Sequence, residues 1–579
     1  MSNKKWVFSK VIPKKLQSKF SDINKVTLQL LYNRNIESNE EIRYFLEPEY
    51  TKDSLDPFLF KDMEKAVDLI VKHVKNKNKI LVYGDYDADG VTSSALLIDV
   101  LGSLKANVSI YIPNRVTEGY GLNKPAIEGI KDRGVDLIIT VDGGIRNKEE
   151  ISYAKELGMD VILTDHHVPP ENDSELPDCL IINPLVKGNK YPYKKLAGVG
   201  VAFKLAKALI GRSKLSDEDK VFLEKRTLDL VAIGTVADCV SLIGENRVLL
   251  QEGLRSLNVS ARIGVRELIK VAKINSDFLD AWNIGFQIAP RLNAAGRIDH
   301  ANTAFELLVT RDENEAKSLA IRLNESNITR QNITESIVSE ADSQVDESDG
   351  NKLIVALSPS ILEGGESWNE GVIGLAAGRL SEKYYRPVLV LTSSGSEIKG
   401  SARSIEEFNI VNAIEASGEH LEKYGGHARA AGFSIKSKDK MVKFLDSMHD
   451  LANKSLNKKT LLPTISIEAE LDLAEINDEL TLELEKFMPF GMDNPKPKFA
   501  CTNARIIDIM KMGMEGQHIK LRVKDEDSRI FSAIGFGQTE KWQDLKIDDE
   551  IDIVYYLEMN RFNGREEAQL KIVDIKKSN

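Results

Sequence analysis

Three short apolar runs in this chain end in groups that bind metals or move protons. Ile80-Leu81-Val82-Tyr83 leads into Gly84-Asp85-Tyr86-Asp87-Ala88-Asp89-Gly90. Leu137-Ile138-Ile139-Thr140-Val141 leads into Asp142-Gly143-Gly144, and Val161-Ile162-Leu163-Thr164 into Asp165-His166-His167. In an extended or turning segment alternate side chains point the same way, so Asp87 and Asp89 can reach one centre. Of two adjacent imidazoles, one can bind a metal while the other turns toward an anion. Taken singly, Asp142-Gly143-Gly144 reads as a tight turn and Asp238 as a helix cap. Together they give four acids and one imidazole, an oxygen-rich set suited to two Mn²⁺ or Mg²⁺ ions, with the imidazole favouring Mn²⁺. It is a poor structural zinc site, which would use four nitrogen or sulfur ligands. Two ions about 3.5–4 Å apart, bridged by a carboxylate, are a usual arrangement for phosphoester hydrolysis.

The elements that must hold these residues are strands alternating with helices. Strand-like runs cover 79–83, 108–112, 136–141, 160–164 and 180–182, with helix-like spacing at 92–104 and 147–157. This alternation predicts a parallel α/β sheet whose strand C-termini form the mouth of a site. Residues 301–349 contain neither Gly nor Pro and read as one or two long helices bridging to a second α/β block, which opens at 352–357 and includes a strand at 387–392. Gly400-Ser401-Ala402-Arg403-Ser404 and Gly425-Gly426-His427 read there as polar turns. After about residue 460, short alternating segments predict a small closed β-barrel. The expected division is 1–55 helical lead-in, 56–257 catalytic α/β domain, 258–349 helical connector, 350–460 second α/β domain and 461–579 barrel.

Composition excludes some classes. At 579 residues the chain exceeds one core, and no apolar run reaches the ~18 residues of a membrane helix. Cys179, Cys239 and Cys501 are far apart and form no paired spacing, which fits a reduced, cytoplasmic protein. The net charge of -11 argues mildly against a nucleic-acid coat protein, yet a local basic lining would suffice for a nucleic-acid enzyme.

The order Asp85-Tyr86-Asp87-Ala88-Asp89, Asp142-Gly143-Gly144, Asp165-His166-His167 and Asp229…Gly234-Thr235-Val236-Ala237-Asp238 resembles the four motifs of the DHH phosphoesterase superfamily. Pro113–Gly121, Ala289–Arg297, Trp368–Gly374, Gly400–Ser404, Gly425–His427 and Pro489–Pro495 resemble further motifs of its single-strand-specific 5′→3′ exonuclease branch, which acts in DNA repair and recombination. That resemblance implies a DHH domain, a DHH-associated domain and a C-terminal OB-fold. It implies Asp87, Asp89, Asp142, His166 and Asp238 as metal ligands, with Asp142 bridging. Asp85 would orient a ligand or water, and His167 would contact the scissile phosphate. Arg115, Arg291, Asn293, Arg297, Ser401 and Arg403 would hold substrate, with Ser401 and Arg403 near the 5′ end. Gly425, Gly426 and His427 would line the facing wall. Single-stranded DNA is the implied partner, with a single-strand-binding protein and a RecQ-type helicase beside it, and the chain would be a monomer. The chain departs from the pattern at Asn369, where many members carry His, and at Asp493, where many carry Gly.

Among barrel aromatics, Phe536, Tyr555, Tyr556 and Phe562 are each expected in the core. Tyr120, flanked by glycines, is the better stacking candidate. Two rival readings follow from the same motifs. A DHH enzyme for dinucleotides or pyrophosphate would need neither barrel nor bridging helices. A non-enzymatic replisome scaffold would have lost metal ligands, and none is missing here.

Overall fold

In the computed structural model, which describes residues 4–578 apart from 116, 261, 275–277, 347–349, 363, 458–460, 526–528 and 563–564, the chain opens with a strand, β1 (Lys5–Phe8), rather than a helix. This strand pairs in parallel with residues Thr464–Ile467, far along the sequence. Helices Lys25–Asn33 and Asn39–Leu46 follow and bury Leu28, Leu31 and Phe45 in one core with Phe487, Phe499 and Tyr555. The lead-in is thus built into the C-terminal barrel's core, a pairing that no local pattern announces.

The first sheet is β2 (Lys79–Tyr83), β3 (Asn107–Tyr111), β4 (Leu137–Val141), β5 (Asp160–Thr164) and β6 (Leu180–Ile182), all parallel in the order β3-β2-β4-β5-β6. Its central strands are apolar on both faces because helices cover both. On one face lie α1 (Ala88–Ser103), α2 (Gly198–Arg212) and α3 (Asp217–Ala237), which share a core with Ile80, Val82, Leu137 and Ile139. The chain reverses its winding direction at β2, so a crevice opens between the ends of β2 and β4. The Asp85–Asp89 segment and Asp142 sit at those two ends. Helix α1 begins four residues before the spacing predicts. Asp87 is its N-cap, with Oδ1 accepting from the N–H groups of Asp89 and Gly90 at 3.0 Å each. Asp87 and Asp89 therefore meet through a cap and a first helical turn, not through strand alternation.

Helix α4 (Glu245–Ser260) and then α5 (Ala289–Ile298) lead to the 30-residue α6 (Glu313–Asp342), which bridges to the second block. There β7 (Ile354–Leu357), β8 (Val388–Ser394), β9 (Glu397–Arg403), β10 (Lys423–His427) and β11 (Ala430–Ile435) form a mixed sheet in the order β10-β11-β9-β8-β7, against which α7 (Ile373–Tyr384) packs. Gly400–Arg403 and Gly425–His427 lie in strands, so the expectation of turns there is corrected. Gly400 is tolerated mid-strand because the Phe433 ring fills the space of its missing side chain: a Cβ there would lie 2.1 Å from Phe433 Cζ.

Strands β12 (Thr464–Ile467) and β13 (Ala469–Glu470) lead into β14 (Phe499–Met512), β15 (His518–Lys524), β16 (Ile530–Gly535), β17 (Glu550–Phe562) and β18 (Arg565–Lys577). The last five close into a barrel, β14-β15-β16-β18-β17, sealed by β14–β17 pairing. Tyr555 is core, its hydroxyl donating to Leu471 O at 2.8 Å. Phe536 is 51% exposed and Tyr556 half-buried, which corrects the core expectation for both. The side chain of Phe562 lies outside the described residues. Among the described residues no helix is long and apolar enough to cross a membrane.

Arg247 of α4 joins the units. It is buried, has no carboxylate partner among the described residues, and donates to the carbonyls of Phe45 (2.7 Å), Phe487 (3.0 Å) and Lys486 (2.7 Å) while lying over the Phe45 ring. Arg247→Met should strand these carbonyls and cost about 3 kcal/mol. A thermal melt of the variant showing no fall in Tm would contradict this role.

Candidate metal centre

The side chains at the crevice come from several different elements. Asp89, buried in the first turn of α1, accepts from the N–H of Gly198 (2.7 Å) and Val199 (2.9 Å) at the start of α2, where the helix dipole favours an anion. Asp142 follows β4 in the left-handed region at φ 57°, a conformation costly for a residue other than glycine. Its carbonyl accepts from the Tyr120 hydroxyl at 3.3 Å. His166 follows β5, and Asp238 is the C-cap of α3. His166 Nε2 lies 3.2 Å from Asp142 Oδ1 and 3.6 Å from Asp238 Oδ2.

Three overlapping groups bring donor atoms within 4.8 Å of one another: Asp85, Asp87 and Asp142; Asp89, His166 and Asp238; and Asp142, His166 and His167. Asp85 Oδ1, Asp142 Oδ1, His166 Nε2 and Asp238 Oδ2 are buried and have no hydrogen-bond partner among the described residues. Buried polar atoms are rarely left so, and these four, spread over the overlapping groups, form a cradle that cations would satisfy. The donor chemistry, carboxylates with one imidazole, fits two Mn²⁺ or Mg²⁺ ions. Glycines make room for it. A Cβ on Gly198 would stand 2.5 Å from Asp142 Oδ1, and one on Gly234 would stand 2.8 Å from Asp89 Oδ1.

Burial and mutual repulsion raise these carboxyls. Asp89 is pushed to about 7 by burial and Asp87, Asp85 to about 8 by the same two causes, and Asp238 to about 9 by burial with Asp89 and Asp87. Asp142 lies well above the ordinary range, through burial and then the three acids on the Asp85–Asp89 segment. Burial and the neighbouring His167 hold His166 down at about 4, which leaves it neutral and able to ligate. Burial works against a charge on His167 too, but Asp165 overcomes it and raises that imidazole.

Asp165 is the residue whose part sequence reasoning missed. Fully buried, its Oδ1 takes the N–H groups of His166 and His167 and the Nδ1 of His167 (2.7 Å), while Oδ2 takes the N–H of Ile145. It fixes the His167 imidazole and the backbone that carries both rings. Its place directly before them, at a strand end, was the available signal. Asp229 stays out of the cluster, buried in an ion pair with Arg262.

A wall of guanidinium groups faces the carboxylates. Arg115 lies 4.6 Å over the Tyr86 ring. Arg297 donates to Gly371 O at 2.7 Å and is pulled down to about 10 by burial and by Arg115, Arg330 and Arg403. Asn293 joins this wall to the metal centre, its Oδ1 accepting from Ala88 N–H beside Asp87. Ser401 and Arg403 of β9 close on the start of α7, where a Cβ on Gly374 would lie 2.9 Å from Ser401 Oγ and 3.4 Å from Arg403 Nη2. Arg291 instead turns to Asn324 (3.0 Å) and to Gln287 O (2.6 Å). Gly425, Gly426 and His427 are exposed on edge strand β10, one strand beyond β11 from Arg403. Arg330 of α6, which sequence reasoning passed over in a helix with no motif, has a buried Nε without a hydrogen-bond partner among the described residues. On the barrel, Lys571 lies 5.5 Å over exposed Phe536, and Lys496 and Lys498 each lie 5.6 Å from the Tyr556 ring.

Comparison with known proteins places this arrangement. Family models match at 79–235 (DHH family, N-terminal domain), 349–454 (DHHA1 domain) and 467–574 (RecJ OB domain). The single-stranded-DNA-specific exonuclease RecJ of Bacillus subtilis is 39% identical over 557 residues, covering 95% of this chain and 68% of that protein. The chain belongs to the RecJ family. RecJ of Haemophilus influenzae is 34% identical over 95% of this chain and 96% of its own length. The crystal structure of Thermus thermophilus RecJ with Mn²⁺ superposes with a TM-score of 0.82 at 28% identity, covering all of this chain and 80% of that one.

Because cations bind the deprotonated RecJ-type cluster, protons held by carboxyls titrating near 7 to 9 compete with them. Mn²⁺ affinity should rise from pH 6 to pH 9, with proton release at pH 7 visible by calorimetry in buffers of different ionisation enthalpy. Gly198→Ala should weaken Mn²⁺ binding by about tenfold or more, in the range of lost outer-shell support. Affinity independent of pH, or unchanged in the variant, would contradict the cluster as described.

Proposed function

We propose that the chain is a single-strand-specific 5′→3′ DNA exonuclease, acting in repair and recombination, that releases 5′-mononucleotides with the aid of two Mn²⁺ or Mg²⁺ ions. The observation that carries this reading is the set of buried, unpartnered donor atoms on Asp85, Asp142, His166 and Asp238, set against a wall of arginines. Asp87, Asp89, Asp142, His166 and Asp238 would hold the ions, with Asp142 between them. Bound there, the ions would supply Lewis acidity toward phosphoryl oxygens and toward water. Asp85 would orient a water or ligand.

This chain's own side chains do the rest. His167, whose pKa Asp165 raises against the effect of burial, has Nδ1 at that carboxylate, and in its protonated form Nε2 would be left to donate to a phosphoryl oxygen. Arg115, Arg297 and Asn293 would hold the backbone in line, with Arg291 behind them. Ser401 and Arg403 beside Gly374 would take the 5′ phosphate, which sets the polarity of digestion, and Gly425, Gly426 and His427 would line the opposite wall. Tyr120, tied to Asp142 and His167 by its hydroxyl, would stack on the terminal base. The Phe536–Lys571 and Tyr556–Lys496 pairs suit a single strand, since each sets a ring for a base beside a cation for its phosphate. In the same reading the protein is a monomer working beside a single-strand-binding protein and a RecQ-type helicase.

A 5′-phosphorylated single strand incubated with Mn²⁺ should yield mononucleotides from its 5′ end, and a blunt duplex should persist. Asp142→Ala should lower kcat by at least about a hundredfold, since even outer-shell losses at metal sites reach that size. Digestion from the 3′ end, or full activity in the variant, would refute the proposal.

A further inference from the structure

The chain between β3 and the helix Lys124–Asp132 carries Arg115 and Tyr120. Neither side chain holds itself in place. Arg115 makes no ion pair among the described residues and rests over the Tyr86 ring, a contact without hydrogen-bond direction. Tyr120 is 51% exposed, and its hydroxyl reaches Asp142 O and His167 Nδ1 at 3.3 Å each, long for hydrogen bonds from a hydroxyl. Gly119 and Gly121 flank it, both at φ 81°, where the backbone has wide freedom. Such a segment spreads over many conformations unless a stronger contact ties it down.

Glu118 supplies that contact. Its half-buried carboxylate takes the Tyr111 hydroxyl at the end of β3, the Asn114 N–H at 2.6 Å and the Asn123 side-chain amide at 3.3 Å. The backbone closes on the same point, with Glu118 N–H and Gly119 N–H donating to Asn114 O at 2.9 and 3.2 Å. Asn123 is itself fixed as the N-cap of the next helix, its Oδ1 accepting from Ala126 N–H at 2.8 Å. One carboxylate therefore ties the strand before Arg115 to the helix after Tyr120. Burial works to raise this carboxyl, but hydrogen bonds from Asn114, Tyr111 and Asn123, with His300 nearby, bring it below the ordinary range. It stands ionised at neutral pH, and hydrogen bonds to a charged acceptor are stronger than neutral ones.

We propose that Glu118 is a positioning residue for the nuclease reaction, fixing Arg115 and Tyr120 against the scissile phosphodiester and the terminal base without touching substrate itself. This rests on the exonuclease reading. A displacement of about 1 Å in a substrate-holding group can cost a hundredfold in rate, so a contact well away from the reacting phosphorus can govern turnover. The metal ligands sit on other elements and do not depend on it.

The test uses the full chain with Mn²⁺ on a 5′-phosphorylated single strand. Glu118→Gln keeps the size of the side chain but puts a donor where the Tyr111, Asn114 and Asn123 donors converge. It should lower kcat/KM by about tenfold or more, with Mn²⁺ affinity by calorimetry unchanged. Tyr111→Phe removes one donor and leaves the acid, and should cost less, about threefold. In an Arg115→Ala/Tyr120→Ala background, adding either substitution should cost no more than about a further 1.5-fold, because losses that act through the same residues do not multiply. Full kcat/KM in Glu118→Gln overturns the proposal. So does an undiminished further loss in the Arg115→Ala/Tyr120→Ala background, which would give the acid a part of its own. A parallel fall in Mn²⁺ affinity overturns it as well, since the effect would then lie in the metal centre. If Glu118→Gln does not fold, Tyr111→Phe decides by the same comparison. An original protein that leaves the strand undigested overturns the exonuclease reading itself.

Discussion

Mutual repulsion among buried carboxylates is the constraint around which this molecule is arranged. Asp85, Asp87, Asp89, Asp142 and Asp238 come from three separate elements and converge where none can be fully solvated. Like charges at such range oppose the fold unless protons or cations intervene. The scaffold meets this with stiffness. Asp89 is pinned by two amides at the start of α2, Asp87 is spent as the cap of α1, and Asp142 is kept in a left-handed turn. Strand order supplies the place, since the winding reverses between β2 and β4 and leaves a crevice at their ends.

The opposite wall answers that charge with guanidinium groups that have few acids of their own. A phosphodiester approaching a carboxylate-rich centre is repelled unless something cationic lies along its route. In the reading proposed above, Arg115, Arg297, Arg330 and Arg403 would provide that route in a chain whose formal charge is -11. Whole-chain charge was therefore a weak guide to the partner. Local polarity, acids at the sheet's rim and arginines across from them, carries the information.

Much of the centre was legible because its residues sit directly after apolar runs, where a parallel sheet places ligands. Strands 79–83, 160–164 and 180–182 were read with the bounds they have. The convergence of Asp85, Asp87, Asp89, Asp142, His166, His167 and Asp238 was legible as well. What stayed hidden depended on distant neighbours. Strand Lys5–Phe8 has a partner more than 450 residues away, and Gly400 reads as a turn residue until the Phe433 ring is seen above it. Arg330 lies in a helix without any motif, and it comes beside Asn293 and Arg297 only because distant segments fold together there. Phe536 and Tyr556 were misjudged, and Tyr555 was not, because alternation alone does not say which face of a closed sheet looks inward; the adjacent Tyr555 and Tyr556 differ in burial.

The junction between barrel and metal centre has its own meaning. The turn before the barrel lies on the segment just past Asp238: Leu242 N–H donates to Met492 O at 2.8 Å, and Gly491 is small because Leu242 occupies the space beside it. On the same turn Asp493, held at φ 59° where glycine is the easier residue, pairs with Lys195 at 2.7 Å. Lys195 stands three residues before Gly198, whose amide grips Asp89. The segment leading to Gly198 and the one following Asp238 are thus strapped to the barrel from outside. Any displacement of the barrel would pull on the amide that holds Asp89 and on the helix end that carries Asp238.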